Sequence, residues 1–192
     1  MTPEIESLRP ALRAAASQLA LDLSTAQADA LLNYLALLQR WNATYNLTSV
    51  REPAQMLTQH LADCLAVVGP LRRQSGDGPM RLLDVGSGGG LPGVVIAILN
   101  SAIDVTCVDT VGKKAAFVQQ AAGELRLRNL HAQHARVEQL KAAAPFDVVT
   151  SRAFASLADF TRLTRQHLAA DGIWLAMKGK PPDDEIAALP PD

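Results

Sequence analysis

A chain of 192 residues, 48% of them hydrophobic, with a net charge of −1, has the size of one globular domain carrying at most a small appended part. Its composition excludes intrinsic disorder. The charge excludes a general polyanion binder, while 18 Lys and Arg leave room for a local basic patch, and no run approaches the ~20 apolar residues of a membrane span.

Met1-Thr2-Pro3-Glu4 lacks the basic and apolar regions of a signal peptide. Cys64 and Cys107 stand in apolar surroundings without metal-type spacing, which predicts a reduced, cytoplasmic protein. Residues 4–75 read as helical. Ser24 and Gln27 form a capping-box pattern ahead of Leu31, Leu35 and Leu38, an apolar stripe predicted to end near Trp41. The polar, β-branched run Asn42–Val50 then breaks the pattern. Pro53 can open the next helix, with Leu57, Leu61, Cys64, Leu65 and Val68 facing inward. His60 and Asp63 lie one turn apart there, but no further ligand has suitable spacing, so the pair reads as an oriented histidine rather than a metal site. Residues 72–79 are predicted to be a loop dividing the chain into a helical part, 1–78, and a second part, 79–192.

After residue 80 the pattern becomes an alternation. Apolar runs end at Asp84, Asp109, His134, Ser151 and Lys178, with helical stretches at 92–99, 112–126, near 137–143 and 156–169. Strands alternating with helices predict an α/β architecture, an open and mainly parallel sheet with helices on both faces. In such sheets the site lies outside the carboxyl ends of the strands. The glycine turn, Asp109 and Ser151-Arg152-Ala153 should therefore converge.

The run Leu82-Leu83-Asp84-Val85-Gly86-Ser87-Gly88-Gly89-Gly90-Leu91-Pro92-Gly93 reads as a buried strand, a tight turn and a helix with proline in its first turn. So many glycines belong where the backbone turns sharply or approaches a ligand. A formal G-x-G-x-x-G at Gly88, Gly90 and Gly93, with Asp109 about 20 residues on, would suggest a dinucleotide. The phase favours another ligand. The first glycine, Gly86, follows Asp84-Val85, and a carboxylate there would repel a pyrophosphate but suits the ammonium and sulfonium of S-adenosylmethionine. Asp109 could hold the ribose diol of either cofactor. No Gly-Lys-Ser/Thr follows, which excludes a P-loop. After the third strand, Val137 and Glu138 can offer a backbone N–H and an apolar wall to an adenine, or simply start a helix.

Several motifs occur together in one order: Trp41-Asn42-Ala43-Thr44-Tyr45-Asn46-Leu47-Thr48, His60-Leu61-Ala62-Asp63, the glycine turn, Asp109-Thr110-Val111-Gly112-Lys113-Lys114, Arg136-Val137-Glu138, Ser151-Arg152-Ala153-Phe154-Ala155 and Met177-Lys178-Gly179. Over residues 25–190 the chain resembles the bacterial 16S rRNA guanine-N7 methyltransferases, also called glucose-inhibited division protein B. The resemblance implies a class I, Rossmann-like S-adenosylmethionine-dependent methyltransferase preceded by a helical N-terminal subdomain. It implies methylation of a guanine in the decoding region of 16S rRNA. It also implies cofactor contacts at Gly86, Leu91, Val137, Glu138 and Arg152, with Asp109 as the ribose ligand. Asp84, Ser87, Gly88 and Gly90 complete the candidate cofactor set. Gly89 and Lys114 depart mildly from the family pattern. Family members continue into a closing β-hairpin, whereas this sequence ends at Asp192 after five clear strands, so that hairpin is expected to be missing.

Guanine N7 carries an in-plane lone pair and no proton, so attack needs neither a nucleophilic cysteine nor a strong base. In-line displacement then depends mainly on positioning. Arg152 is the candidate catalytic residue, donating to guanine O6 while N7 stays free, to a phosphate, or holding the cofactor pocket closed. Arg51, Lys113, Lys178 and Lys180 are candidate phosphate contacts, and Tyr45 could stack on a base or pack. The expected partner is 16S rRNA or the small ribosomal subunit, without metal or membrane, and the chain is expected to be a monomer. A small-molecule methyltransferase and a non-catalytic ribosome-docking module are the competing readings.

Overall fold

The computed structural model describes residues 2–75, 78–152, 154 and 156–189; Ala153 and Ala155 of the Ser-Arg-Ala-Phe-Ala run and the closing Pro190-Pro191-Asp192 lie outside them. Two short helices, α1 (Pro3–Glu6) and α2 (Arg9–Gln18), lead to the long α3 (Thr25–Tyr45). The capping box at its start is formed. Ser24 Oγ accepts from the Gln27 N–H at 3.2 Å, and Gln27 Oε1 accepts from the Ser24 N–H at 3.0 Å.

The sequence reading ended this helix near Trp41, but α3 continues to Tyr45 and is closed by Asn46 in the left-handed region, φ 49°. Asn42 explains the difference. Buried, it serves the following loop instead of breaking the helix: its Oδ1 accepts from the Thr48 N–H at 2.9 Å and its Nδ2 donates to Val50 O at 3.0 Å. Pro53 opens α4 (Pro53–Met56), which runs into a π-helical stretch (Leu57–Ala62) and then α5 (Asp63–Leu65). Helix α6 (Val68–Ser75) follows, so Arg72, Arg73 and Gln74 are helical rather than part of a loop, carried by buried Val68 and Leu71 one turn apart.

Five parallel strands form one sheet in the order β3-β2-β1-β4-β5: β1 (Met80–Val85), β2 (Ile103–Asp109), β3 (Leu130–His134), β4 (Phe146–Ser151) and β5 (Leu168–Ala176). The central strand β1 pairs on both sides, with Leu83 between Thr106 and Val149. A parallel sheet is covered on both faces, so its inner strands are apolar on both. One buried cluster joins Leu82, Val105, Cys107 and Val148 to α7 (Gly93–Leu99), α8 (Gly112–Glu124) and the N-terminal helices. The opposite face buries Leu83, Val85, Val108 and Val149 with Phe146 and with Phe160 of α9 (Leu157–Thr164). All seven residues of α7 are buried, as expected of a helix that is apolar all round.

Three predicted helices are shorter than read. The stretch 112–126 ends at Glu124. The piece near 137–143 is a 3-10 turn, Val137–Gln139, after which Lys141–Ala144 are exposed and precede Pro145, which disfavours helix in the residue before it. The stretch 156–169 is α9 followed by a 3-10 turn at Arg165–His167, with β5 already begun at Leu168. The last strand ends at Ala176, two residues before Lys178. A short α10 (Asp183–Ala187) is tied back by Glu185, which accepts from Lys178 at 2.9 Å and from the Leu157 N–H at 2.7 Å. Among the described residues, no helix is long and apolar enough to cross a membrane.

Candidate active site

The turn after β1 is built from backbone. Gly86, Gly88 and Gly90 have φ of +67°, +57° and +82°, a region where side chains are strained. Ser87 O accepts from the N–H groups of Gly90 at 2.8 Å and Leu91 at 3.0 Å, closing the turn. Pro92 is the N-cap of α7 rather than part of its first turn. A Cβ on Gly93 would collide with Cys107 Sγ and lie 2.9 Å from Asp84 Oδ2, so close approach is what this last glycine provides. Tyr34 of α3 donates its hydroxyl to Gly89 O at 2.5 Å, fixing the turn to the helical part.

Two carboxylates hold the turn from below. Asp109, at the end of β2, accepts from the Gly88 N–H at 2.9 Å through Oδ2 and from the Val111 N–H at 2.8 Å through Oδ1. Each oxygen keeps a second lone pair, so acceptor capacity for a ribose diol remains. Asp84 is fully buried, with Oδ2 accepting from the Gly93 N–H at 2.8 Å; Oδ1 has no hydrogen-bond partner among the described residues. Burial pushes its carboxyl from the ordinary 3.8 up to about 7, against the pull of the Gly93 N–H and of the Arg152 guanidinium.

A cavity of about 340 Å³ opens above these strand ends, lined by Gly86, Asp109, Lys114, Val137, Glu138 and Phe154 among others. A second, of about 410 Å³, shares Val85, Gly86, Phe154 and Leu163 with it and adds Ser151, Asp159 and Arg162. Together they form one depression over the ends of β1, β2, β3 and β4. The first turn of a helix leaves N–H groups without intrahelical partners, and the 3-10 turn presents those of Val137 and Glu138 at the first cavity. His167 and Gln166 hold this turn: His167 Nε2 lies 2.6 Å from Val137 O, and Gln166 Nε2 donates to Glu138 O at 3.1 Å. The candidate residues thus separate. Gly86, Asp109, Val137 and Glu138 line the cavity. Ser87, Gly88, Gly90, Leu91 and Asp84 shape the turn behind it.

The other motifs meet at a separate cavity of about 490 Å³, lined by Asp63, Arg152, Met177, Lys178 and Gly179 among others. Arg152, just past β4, reaches the π-helical stretch, where Nη1 donates to Gln59 O at 3.2 Å and lies 3.2 Å from His60 Nδ1 and 3.8 Å from Asp63 Oδ2. His60 Nε2 is 2.8 Å from Thr48 Oγ1, which also accepts from the Val50 N–H at 3.2 Å. Burial keeps the His60 imidazole below its usual pKa, and Arg152 adds to that; the Gln59 carbonyl and Asp63 oppose it. One hydrogen-bonded chain therefore links Asn42, Thr48, His60 and Arg152, drawn from three separate motifs, its last step running through the Gln59 carbonyl, which lies 2.9 Å from His60 Nδ1 and accepts from Arg152 Nη1. Among the described residues, no group of His, Cys, Asp or Glu could hold a metal.

Other candidates stand apart from this chain. Tyr45 packs its ring on Trp41, 5.0 Å between centroids, and Trp41 meets Phe117 edge-on at 5.5 Å. Lys178 is committed to Glu185, while Arg51 donates to Asn46 Oδ1 at 2.9 Å. Lys113 and Lys180 are exposed. Sequence reasoning singled out Thr48 as a residue closing over the site, but did not find Tyr34, the Gln59 carbonyl, Phe154, Gln166 or His167 as site-building residues. Thr48 and Phe154 lie inside recognised motifs; Tyr34, Gln166 and His167 have no local signal, since their partners are far away in the chain.

The model of the rRNA small subunit methyltransferase G family matches residues 27–191. Ribosomal RNA small subunit methyltransferase G of Acidovorax ebreus (strain TPSY) is 64% identical over 194 residues, covering 97% of this chain and 85% of that protein. The protein of the same name from Leptothrix cholodnii is 61% identical, covering 96% and 84% respectively. Among solved structures, a putative S-adenosyl-L-methionine-dependent methyltransferase from Methanococcus maripaludis superposes with a TM-score of 0.54 at 14% identity, over 64% of this chain and 58% of that one. Coclaurine N-methyltransferase, solved with N-methylheliamine and SAH, gives 0.51 at 16% identity, over 90% of this chain and 49% of that one. At such identities these two structures speak for the fold alone.

Proposed function

The chain belongs to the rRNA small subunit methyltransferase G family, and on that premise we propose that it methylates N7 of a guanine in 16S rRNA with S-adenosylmethionine as donor. The observation that carries this reading is the cavity over the glycine turn, with Ser151 in its wall and Arg152, the next residue, lining a separate cavity with Asp63 of the helical part.

The residues present fit the cofactor. Asp109 offers acceptor lone pairs at the end of β2, Val137 and Glu138 offer N–H groups and an apolar wall, and Gly86 lets the backbone come close. Asp84 places a buried carboxyl beneath the turn, where a cationic ligand would stabilise its ionised form. Bound S-adenosylmethionine supplies an electrophilic methyl group on a sulfonium. The protein's part is then positioning. Arg152 donates to guanine O6, which turns N7 towards the cofactor cavity without occupying its lone pair. No side chain has to act as nucleophile or general base. Lys113, Lys180 and Arg51, exposed at loop and helix ends, contact phosphates. The partner is 16S rRNA or the small subunit carrying it, met in the cytoplasm by a monomer.

The test is transfer of a tritiated methyl group from S-adenosylmethionine to small subunits, to naked 16S rRNA and to a small-molecule panel. Label in the RNA, with strand scission at one guanine after borohydride and aniline, is the expected result. Label without scission would overturn the N7 assignment. Label only in a small molecule, or in nothing, would overturn the rRNA reading.

A further inference from the structure

The cavity of about 490 Å³ has the size of a small-ligand pocket and shares no lining residue with the two over the glycine turn. Its walls are apolar, Val67 and Pro70 from the helical part and Leu175 and Met177 at the end of β5. Three charged side chains stand in it. Lys178 is paired with Glu185, which leaves Asp63 and Arg152. The exposed Asp63 carboxylate accepts no hydrogen bond from the described residues, and Arg152 Nη1, at 3.8 Å, is beyond that reach. Arg152 makes its own contacts through Nη1, donating to the Gln59 carbonyl at 3.2 Å, so the N–H groups of Nε and Nη2 remain for a ligand. Ser151 lines the glycine-turn side and Arg152, the next residue, this one. Cofactor cavity, guanidinium and carboxylate therefore follow one another in that order.

The rim of a guanine carries N7, O6, N1–H and the N2 amino group, also in that order. We infer that this cavity receives the acceptor base and that Asp63 is the residue specifying guanine. Its carboxylate accepts from N1–H and from the N2 amino group, two parallel bonds of the kind carboxylates form with forked donors. Arg152 donates to O6, and N7 is left pointing past Ser151 towards the cofactor. The apolar walls cover the ring. An adenine in the same place would set its N6 amino group against the arginine donors and its N1 lone pair against the carboxylate. Both contacts would then be repulsive, which is how a site rejects the wrong partner. The inference deepens the N7-methylation reading and rests on it.

The experiment is single-turnover transfer of tritiated methyl, at saturating S-adenosylmethionine, to small subunits reconstituted with 16S rRNA carrying guanosine or inosine at the scission position. Inosine lacks only the N2 amino group. Wild type should be about tenfold slower on inosine, the cost of one hydrogen bond to a charged group. Asp63→Ala should be about 30-fold slower than wild type on guanosine, having lost both bonds. The readout is the guanosine-to-inosine rate ratio of wild type divided by that of Asp63→Ala, expected at about ten. Any intrinsic difference in N7 reactivity enters both enzymes alike and cancels. A merely structural role of Asp63 would lower both rates and leave the discrimination intact. Ala66→Phe, which adds bulk to the cavity from an exposed position, should slow transfer about tenfold by misplacing the base. Melting temperature and cofactor Kd, measured alongside, should stay close to wild type in both variants.

A quotient near one, or wild-type transfer by Asp63→Ala, would overturn the assignment of Asp63. Full activity in Ala66→Phe would overturn the cavity as the base site; should that variant lower the melting temperature, the inosine quotient alone decides. If wild type labels no RNA, or labels it without scission at one guanine, the N7 reading itself fails. If wild type labels that guanine and the quotient is one, only the inference about Asp63 fails.

Discussion

The glycine-turn cavity and the surroundings of Arg152 are made of different materials. On the side proposed for the cofactor the donors and acceptors are largely backbone, three left-handed glycines and the turn at Val137, pinned by Asp109 and Tyr34. On the side proposed for the acceptor they are mostly side chains, a chain from Asn42 through Thr48, His60 and the Gln59 carbonyl to Arg152 that crosses from the helical part to the sheet. A backbone site is fixed by the fold around it, and one side-chain change should alter it modestly. A side-chain site depends on each member, and loss of the terminal group should abolish its function.

That contrast can be broken at several points. Arg152→Ala should lower turnover by about 10²-fold, the usual cost of losing one oriented donor at a reacting centre, with cofactor Kd nearly unchanged. Stopped-flow or quench transfer assays paired with calorimetric titration would check it. Asp84→Asn should flatten the pH dependence of stability. With a folded pKa of about 7 against an ordinary 3.8, wild-type Asp84 favours the fold when protonated. Its contribution is present below about pH 4 and lost as pH rises to about 7, at ~1.4 kcal/mol per pH unit at most. The difference between wild-type and Asp84→Asn denaturation curves across pH 5 to 8 reads this directly, and parallel curves would refute the assignment. Asp109→Ala leaves the N–H groups of Gly88 and Val111 without their acceptor and should weaken cofactor binding roughly tenfold, at the lower end of what losing a hydrogen bond to a charged group costs. Tyr34→Phe removes a single hydrogen bond to the turn and should cost about 1 kcal/mol of stability in urea titration, with transfer little affected.

The same difference in materials decided what could be read from the sequence. Glycines at fixed spacing after an apolar strand announce a backbone site, because only glycine accepts the φ values and the close contacts found at Gly90 and Gly93. The alternation of strands and helices gave the sheet for a similar reason, since burial on both faces leaves short apolar runs such as Leu82-Leu83 in β1 and Val148-Val149 in β4. The acceptor side was visible only as conspicuous motifs. Nothing in the spacing of Asn42, His60 and Arg152 says that they touch, and Asn42 was misread as a helix breaker because its partners, Thr48 and Val50, lie beyond the helix. Tyr34 is core, yet its hydroxyl ends on the glycine turn 55 residues away. Helix ends were the least legible, as at Lys141–Ala144, where composition suited a helix but the residues are exposed and the Ala144 and Pro145 carbonyls accept from Arg81 instead.

Single-turnover methyl transfer to small subunits, measured for Asp109→Ala and Arg152→Ala across increasing S-adenosylmethionine, tests the division most directly. The account predicts that saturating cofactor restores Asp109→Ala to near the wild-type rate and leaves Arg152→Ala about 10²-fold slow. If saturation rescued Arg152→Ala as well, or failed to rescue Asp109→Ala, the assignment of the glycine-turn cavity to the cofactor and of the surroundings of Arg152 to the acceptor would be contradicted.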